Sequence, residues 1–373
     1  MPKILHISKY YFPFRGGTEA VAQDVAEGLK DFDNKVIAFN HEKGSKTDSV
    51  NGIEVTRVGC FAKIASQSLS FYYFGALKRV FKRWEPDAVH FHHPNLFVAS
   101  FMSLLLPKKT KLVIHWHLDI VKQKYLYMLF KHVERKMLRR ADVVVVTSHK
   151  YAEHSKALAP YMDKVQVIYN GIRTARLDCK EGDDERIEEI RLKYGHRPIV
   201  FFIGRHVAYK GLEYLLEAEK LVMLDCVFVI GGEGALTEGL KSQTSSHRVV
   251  FVGKLSEVEL RCYLHAAAIF AFPSITKNEA FGLALAEAMY CKCVPVTFTI
   301  EGSGVNEVSL NGITGIEVDN RNVHQYAEAI DTLLKGGNLR LAYGESARQR
   351  VMNFFTVEHE QAAFGKLYHS LLD

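Results

Sequence analysis

Nowhere in the 373 residues does an apolar run approach the length that spans a bilayer, and the opening MPKILHISKYYFPF lacks the long hydrophobic stretch of a signal peptide. The expectation is a cytoplasmic chain. Cysteine is sparse and scattered over Cys60, Cys179, Cys226, Cys262, Cys291 and Cys293, with only the last two close in sequence. A thiolate metal centre calls for a second close pair, so free, buried thiols are expected. Short-period repeats and low-complexity tracts are missing, and so is a G-x-G-x-x-G fingerprint, which counts against a dinucleotide-dependent dehydrogenase.

Hydrophobic residues make up 48% of the chain and charged ones 24%, a globular composition, and the length exceeds what one core usually serves. Two domains are expected. Charge is unevenly shared: residues 1–172 hold 26 Lys+Arg against 15 Asp+Glu, and the remainder 22 against 27. A basic front half suits an anionic partner.

Short β-rich runs alternate with helix-period segments. KILHIS, KVIAFN, DAVHFHH, KLVIHWH, DVVVVTS and VQVIY mark the front half; PIVFFIG, CVFVIGG, RVVFVG, AIFAFPS and CVPVTF mark the back half. Such alternation predicts an α/β chain with doubly wound parallel sheets covered by helices on both faces. The pattern pauses at Asn170-Gly171, before the polar TARLDCKEGDDERIEEI. The predicted domains are 1–172 and 173–354.

Ligands of open α/β sheets sit at the carboxyl ends of strands, so each functional motif should follow a strand. FFIGRHVAYKG does: strand, Gly204, then Arg205 and Lys210 ahead of a helix from about Leu212. A guanidinium fork and a point-charge ammonium suit a diphosphate that must be held and stabilised as it leaves. A solvated surface pair is the plain alternative. VIGGEGAL follows the next strand, with Gly231, Gly232 and Gly234 permitting close backbone approach. Near the front, Gly16-Gly17 precede a helix with Thr18 placed to cap it, so backbone N–H groups can meet an anion. NEAFGLALAEAM puts Glu279 in a loop and Glu287 inside a helix that starts near Phe281-Gly282. The N–H groups of Ala280, Phe281, Gly282 and Leu283 can then meet a phosphate or sugar oxygen, while Glu279 accepts from sugar hydroxyls and Glu287 from a diol such as a ribose. A capping acid and a solvated helix acid would leave the spacing unexplained.

These motifs carry a resemblance. Glu279-Ala280-Phe281-Gly282 through Glu287 resembles the E-x7-E motif of the retaining glycosyltransferase family four, Gly16-Gly17-Thr18-Glu19 its GG-x-E loop, Arg205 and Lys210 its R-x4-K pair, and VIYNGI its interdomain turn. VIHWHLDIVKQK is similar to the HWHSDIV segment of bacterial polysaccharide mannosyltransferases, with Leu118 in place of Ser. The resemblance implies the GT-B fold: two Rossmann-like domains facing across a cleft, the last helix, 355–373, packed back on the first. It implies a retaining hexosyltransferase that moves mannose, from GDP-mannose by preference, to a lipid-linked or polysaccharide acceptor in cell-surface glycan synthesis. The implied donor site comprises Gly16, Gly17, Arg205, Lys210, Gly232, Glu279, Ala280, Phe281, Gly282, Leu283 and Glu287. In it the first Glu holds the sugar, the second the ribose, and the Arg/Lys pair the diphosphate. His117 matches the histidine that faces the sugar, and His117, Arg205, Lys210 and Glu279 are the implied catalytic groups, with no metal or cofactor. A UDP-sugar enzyme of the same fold and a nucleotide-sugar-binding regulator are the alternatives. A phosphorylase would carry a lysine-bound cofactor, for which there is no motif.

His90, His92, His93, His115 and His117 invite a metal reading, since alternation would put His115, His117 and Asp119 on one strand face. Strand ends opening onto the cleft, where His117 donates to a substrate and the others pack, account for them better. Asp31-Phe32-Asp33 precedes a strand, at the wrong sheet edge for a metal motif, and is expected as a turn. SFYYFGALKRVFKRW spaces Phe74, Leu77, Phe81 and Trp84 helically, with Lys78, Arg79, Lys82 and Arg83 between them. That suits an interfacial helix on anionic lipid or an ordinary helix packed on a sheet. With the basic front half, peripheral contact with an anionic membrane is expected somewhere on that domain, and no nucleic acid partner.

Overall fold

Runs of Val, Ile, Phe and Leu without polar alternation make strands that are buried on both faces, and amphipathic segments cover them. A computed structural model describes residues 1–14, 16–64, 67–120 and 124–373. The chain divides into two units, 1–171 with 357–373, and 172–356.

The first unit runs β1 (Lys3–Ile7), α1 (Gly17–Gly28), β2 (Asp33–Phe39), β3 (Lys46–Val50), β4 (Ile53–Val58), β5 (Ala62–Ile64), β6 (Gln67–Leu69), α2 (Tyr72–Arg83), β7 (Ala88–His93), α3 (Leu96–Leu105), β8 (Lys111–Trp116), α4 (Lys124–Arg140), β9 (Val143–Val146), α5 (His149–His154) and β10 (Val165–Val167). Its main sheet has the order β10-β9-β8-β7-β1-β2-β4-β3, and β3 runs antiparallel to β4. The order reverses between β1 and β7, which makes that the switch point of this sheet. The sequence alternation passes over the β3–β4 hairpin, whose turn residues Asn51 and Gly52 both have positive φ, 48° and 85°. Two such residues match the twist of paired strands.

The second unit runs α6 (Asp183–Lys193), β11 (Ile199–Ile203), α7 (Leu212–Glu219), β12 (Val227–Gly231), α8 (Thr237–Ser242), β13 (Val249–Gly253), α9 (Glu257–Ala266), β14 (Ile269–Phe272), α10 (Leu283–Tyr290), β15 (Val294–Phe298), α11 (Val305–Val308), β16 (Ile316–Val318), α12 (Val323–Lys335) and α13 (Gly337–Phe354). The parallel order β13-β12-β11-β14-β15-β16 is that of a Rossmann sheet, with its switch point between β11 and β14. The last helix, α14 (Val357–Leu372), belongs to the first unit. Gln361 Nε2 donates to the Asp24 carbonyl of α1 at 2.8 Å, and the buried Glu360 accepts from Gly171 N–H at 3.1 Å.

Helix α2 is the packed kind. Tyr73, Leu77 and Phe81 are buried, Phe74 meets Phe101 edge-on at 5.4 Å, and Trp84 Nε1 donates to Asp33 at 3.3 Å. The stripe of Phe74, Leu77, Phe81 and Trp84 therefore faces the unit, as the ordinary packed alternative has it. Phe61, Phe71 and Tyr72 are the exposed aromatics here, beside exposed Lys78, Arg79, Lys82 and Arg83. Asp31-Phe32-Asp33 ends where β2 begins, at the strand's N-terminal edge, with Asp33 in register with Lys3. Four cysteines are buried, whereas Cys60 is half-buried and Cys179 exposed, correcting the expectation for those two. Among the described residues, no helix is long and apolar enough to cross a membrane.

Candidate active site

At the β11/β14 switch point two loops meet. Ile275 N–H donates to the Tyr209 carbonyl at 3.0 Å, and a Cβ on Gly211 (φ 63°) would lie 2.1 Å from the Pro273 carbonyl oxygen, so only glycine permits this approach. The junction places Lys210, at the end of the short turn Ala208–Lys210, against Glu279: Nζ pairs with Oε2, and both side chains are about nine-tenths buried. Ser274 Oγ donates to the same carboxylate oxygen at 3.2 Å. Ser303 Oγ holds the Glu279 carbonyl, and Gly304 N–H holds that of Ala280 at 3.0 Å. Arg205 is exposed, with Nη2 3.4 Å from the Tyr209 hydroxyl. The R-x4-K pair is thus split into one cation locked to an acid and one in solvent.

Gly282 starts α10 with φ 91°, a left-handed conformation that suits glycine, and Leu283 is the first helical residue. Phe281 is buried edge-on to Phe355, with centroids 5.4 Å apart. Glu287 follows one turn inside the helix, buried, and pairs with Arg176 from the turn Thr174–Arg176. Burial pushes the Glu287 carboxyl above the usual carboxylate range, and Arg176 pulls it back. Gly232 serves the chain itself: its N–H donates to the Gly253 carbonyl at 2.7 Å, and a Cβ would lie 2.0 Å from the Gly204 carbonyl oxygen. The close approach expected for a ligand is made there by backbone. Gly232, Glu233, Gly234, Thr237, Lys241 and Lys254 also line a cavity of about 490 Å³.

In the first unit Gly16, not Thr18, is the cap of α1; Thr18 lies inside the first turn. The helix starts earlier than expected, and Glu19 folds back so far that a Cβ on Gly16 would lie 2.3 Å from its Oε2. His6 on β1, His90 and His92 on β7 and His115 on β8 share one face, His6 in register with His90 and His92 with His115. His117 follows β8, only 6% exposed. Its Nε2 lies 2.9 Å from His92 Nδ1, and its ring stacks on His115 at 4.1 Å. His90 bonds His115 at 3.2 Å and the Tyr368 hydroxyl of α14 at 2.9 Å. Burial lowers His6 to about 4 and His117 to about 3, and holds His90, His92 and His115 well below the ordinary histidine value.

Two expectations change here. His117 is paired inside the unit rather than open at a strand end. Asp119 lies beyond β8 and accepts from Trp116 Nε1 at 3.0 Å and Ser155 Oγ at 2.8 Å, off the histidine face. Ligating atoms of His90, His92 and His115 lie within 4.8 Å of one another. Nitrogens on one tetrahedral zinc sit ~3.3 Å apart, and the His90–His115 and His90–Tyr368 contacts already use both His90 nitrogens. Val121, Lys122 and Gln123 of VIHWHLDIVKQK lie outside the described residues.

A family model described as Glycosyltransferase Family 4 matches residues 15–176, and one described as Glycosyl transferases group 1 matches residues 183–350. The chain belongs to glycosyltransferase family four. It is 28% identical over 378 residues to O-antigen chain mannosyltransferase C of Escherichia coli, covering 100% of this chain and 99% of that protein. It is 28% identical over 365 residues to D-rhamnosyltransferase WbpZ of Pseudomonas aeruginosa, covering 95% and 92%. Its structure superposes on Anabaena Alr3699/HepE, solved with UDP and glucose, with a TM-score of 0.80 at 18% identity over 99% and 100% of the two chains. The fold is GT-B.

In this glycosyltransferase, the Rossmann switch point of the second unit brings together Lys210, Glu279 and the start of α10. Carboxylates there can accept from hydroxyls, and the cations can take phosphate charge. Sequence reasoning missed Arg176, Ser274 and Ser303. Arg176 lies 111 residues from Glu287, in a stretch read only as polar, and no local spacing signals it.

Proposed function

We propose that this chain moves mannose from GDP-mannose, with retention of configuration, to a lipid-linked or polysaccharide acceptor in cell-surface glycan synthesis. The observation that carries the reading is the Lys210–Glu279 pair at the switch point, with Glu287 one turn into α10. A cation, a sugar-binding carboxylate and a ribose-binding carboxylate then belong to one nucleotide sugar. Lys210 and Arg205 stabilise the charge that builds on the leaving diphosphate, which leaves no role that needs a metal. The bond from C1 to the phosphate oxygen breaks, the acceptor oxygen bonds to C1 on the same face, and its proton passes to the departing phosphate. His117 orients the sugar by exchanging His92 for a sugar hydroxyl. The mannosyl- and rhamnosyltransferase relatives support a hexose destined for surface polysaccharide. Exposed Phe61, Phe71 and Tyr72 among basic side chains support peripheral binding to the inner face of an anionic membrane. One observation favours a UDP-sugar donor instead, the structural likeness to a protein solved with UDP and glucose.

The test is incubation with radiolabelled GDP-mannose or UDP-glucose and a lipid extract, with EDTA present. Label passing from GDP-mannose into an α-mannoside is expected. Transfer from UDP-glucose alone would replace the donor, and transfer from neither would end both donor readings. Activity that needs added manganese would end metal independence.

A further inference from the structure

We infer that Arg176 is a positioning residue for the donor, holding Glu287 as an aimed carboxylate for the nucleotide's ribose; this rests on the reading that Glu287 takes the ribose. Arg176 ends the turn Thr174–Arg176. Its carbonyl accepts from Arg261 Nη1 at 3.2 Å, and Arg261 is itself forked onto the buried Asp183 at 2.6 and 3.0 Å. The turn is pinned from behind, so the guanidinium that projects from it onto Glu287 Oε1 has a fixed origin. A ribose diol offers two hydroxyl donors, and only an ionised carboxyl accepts from both without a competing proton.

Glu287 depends on this partner because its surroundings offer it little else. It is 8% exposed. On α10 and its C-cap its titratable neighbours are Tyr290 and Cys291, and the Tyr290 hydroxyl donates to Asp178 at 2.5 Å and accepts from Arg348 of α13 at 3.2 Å. Also on α13, Glu345 pairs with Lys292. Packed α11 carries Glu307, an acid, and strands β14 and β15 carry no charged side chain. Burial drives the Glu287 carboxyl toward its neutral form, and Arg176 is the charge that opposes it. Without Arg176, the carboxyl would protonate closer to neutrality and bind a ribose less well as pH falls.

The test is calorimetric titration of GDP and of UDP into the wild-type chain and into Arg176→Ala, Arg176→Lys and Glu287→Gln, between about pH 6 and pH 8.5. The Kd ratio of variant to wild type is read at each pH, so that titration of the phosphate itself cancels. For Arg176→Ala the ratio should rise severalfold from the high to the low pH, as burial unopposed by Arg176 lets the carboxyl take up a proton. Arg176→Lys, which keeps the charge, should give a nearly flat ratio, and Glu287→Gln a raised but flat one. A flat ratio for Arg176→Ala, or a rising one for Arg176→Lys, overturns the role of Arg176. A Glu287→Gln ratio near one at every pH overturns instead the ribose reading beneath it.

Discussion

Lys210→Ala should do two separable kinds of damage. Removing one member of a buried ion pair typically costs about 3–5 kcal/mol because the other charge is stranded. Here Lys210 and Glu279 are 10% and 12% exposed, and Ser274 Oγ still reaches Glu279 at 3.2 Å, so the lower end applies, about 3 kcal/mol. For a unit of this size that lowers Tm by roughly 6–12 °C. Glu279→Ala should cost a similar amount, leaving Lys210 over the Phe272 ring at 5.0 Å. The double variant strands neither charge and should recover at least half of the loss. Turnover follows a different rule: with the phosphate cation gone, both Lys210 variants should fall about a hundredfold or more. Calorimetry without donor and initial rates of label transfer read the two effects. Single variants with wild-type Tm, or a double no more stable than the worse single, would refute the pair; near-normal turnover in Lys210→Ala would refute its place at the diphosphate.

Glu287→Ala should mainly raise the donor KM and Glu279→Ala mainly lower kcat, because ribose binding is equal before and during reaction while sugar positioning is not; a donor titration on both variants decides, and exchanged effects would exchange the roles. Burial lowers His6 to about 4, and His93 and His117 to about 3, whereas the unfolded chain takes up these protons near pH 6.5. Their stabilising contribution is present above that pH and is lost as pH falls, by up to ~1.4 kcal/mol per pH unit for each, so Tm should drop steeply from about pH 6.5 to 4.5; a level Tm over that range would contradict their neutrality. Phe71→Ser with Tyr72→Ser should weaken sedimentation with phosphatidylglycerol vesicles about tenfold or more while leaving transfer to a soluble acceptor intact; unchanged sedimentation would move the membrane surface elsewhere.

The parallel strands were legible because burial on both faces leaves an unmistakable run: VFVIG, IFAF and VPVTF are buried throughout as β12, β14 and β15. KTDSV was not, since β3 is an edge strand whose residues are exposed or half-buried and whose polar side chains are compatible with a loop. Helix α2 shows a different limit. Its apolar stripe has the same period whether a sheet or a bilayer receives it. Contacts from elsewhere in the chain decide, and here Phe39 lies 4.7 Å from Tyr73 and Phe101 5.4 Å from Phe74, ring to ring.

At the site, what lay within one segment could be read and what lay between segments could not. Glu279, Gly282 and Glu287 fall on a loop, a cap and a helix, as their spacing requires. Their partners are 69 and 111 residues away. Yet one pairing follows from topology once the strand order is known. β11 and β14 are parallel neighbours, and Lys210 and Glu279 each stand seven residues beyond the end of their strand, so an acid and a base leave adjacent strands at equal depth. Arg176 has no strand to place it, only the turn held by Arg261 and Asp183. If both carboxylates serve the donor, both must give up or share a cation when it arrives. Donor affinity then reports a difference between two sets of charge-assisted bonds, which is why losing Lys210 or Arg176 should affect more than the single carboxylate each one holds.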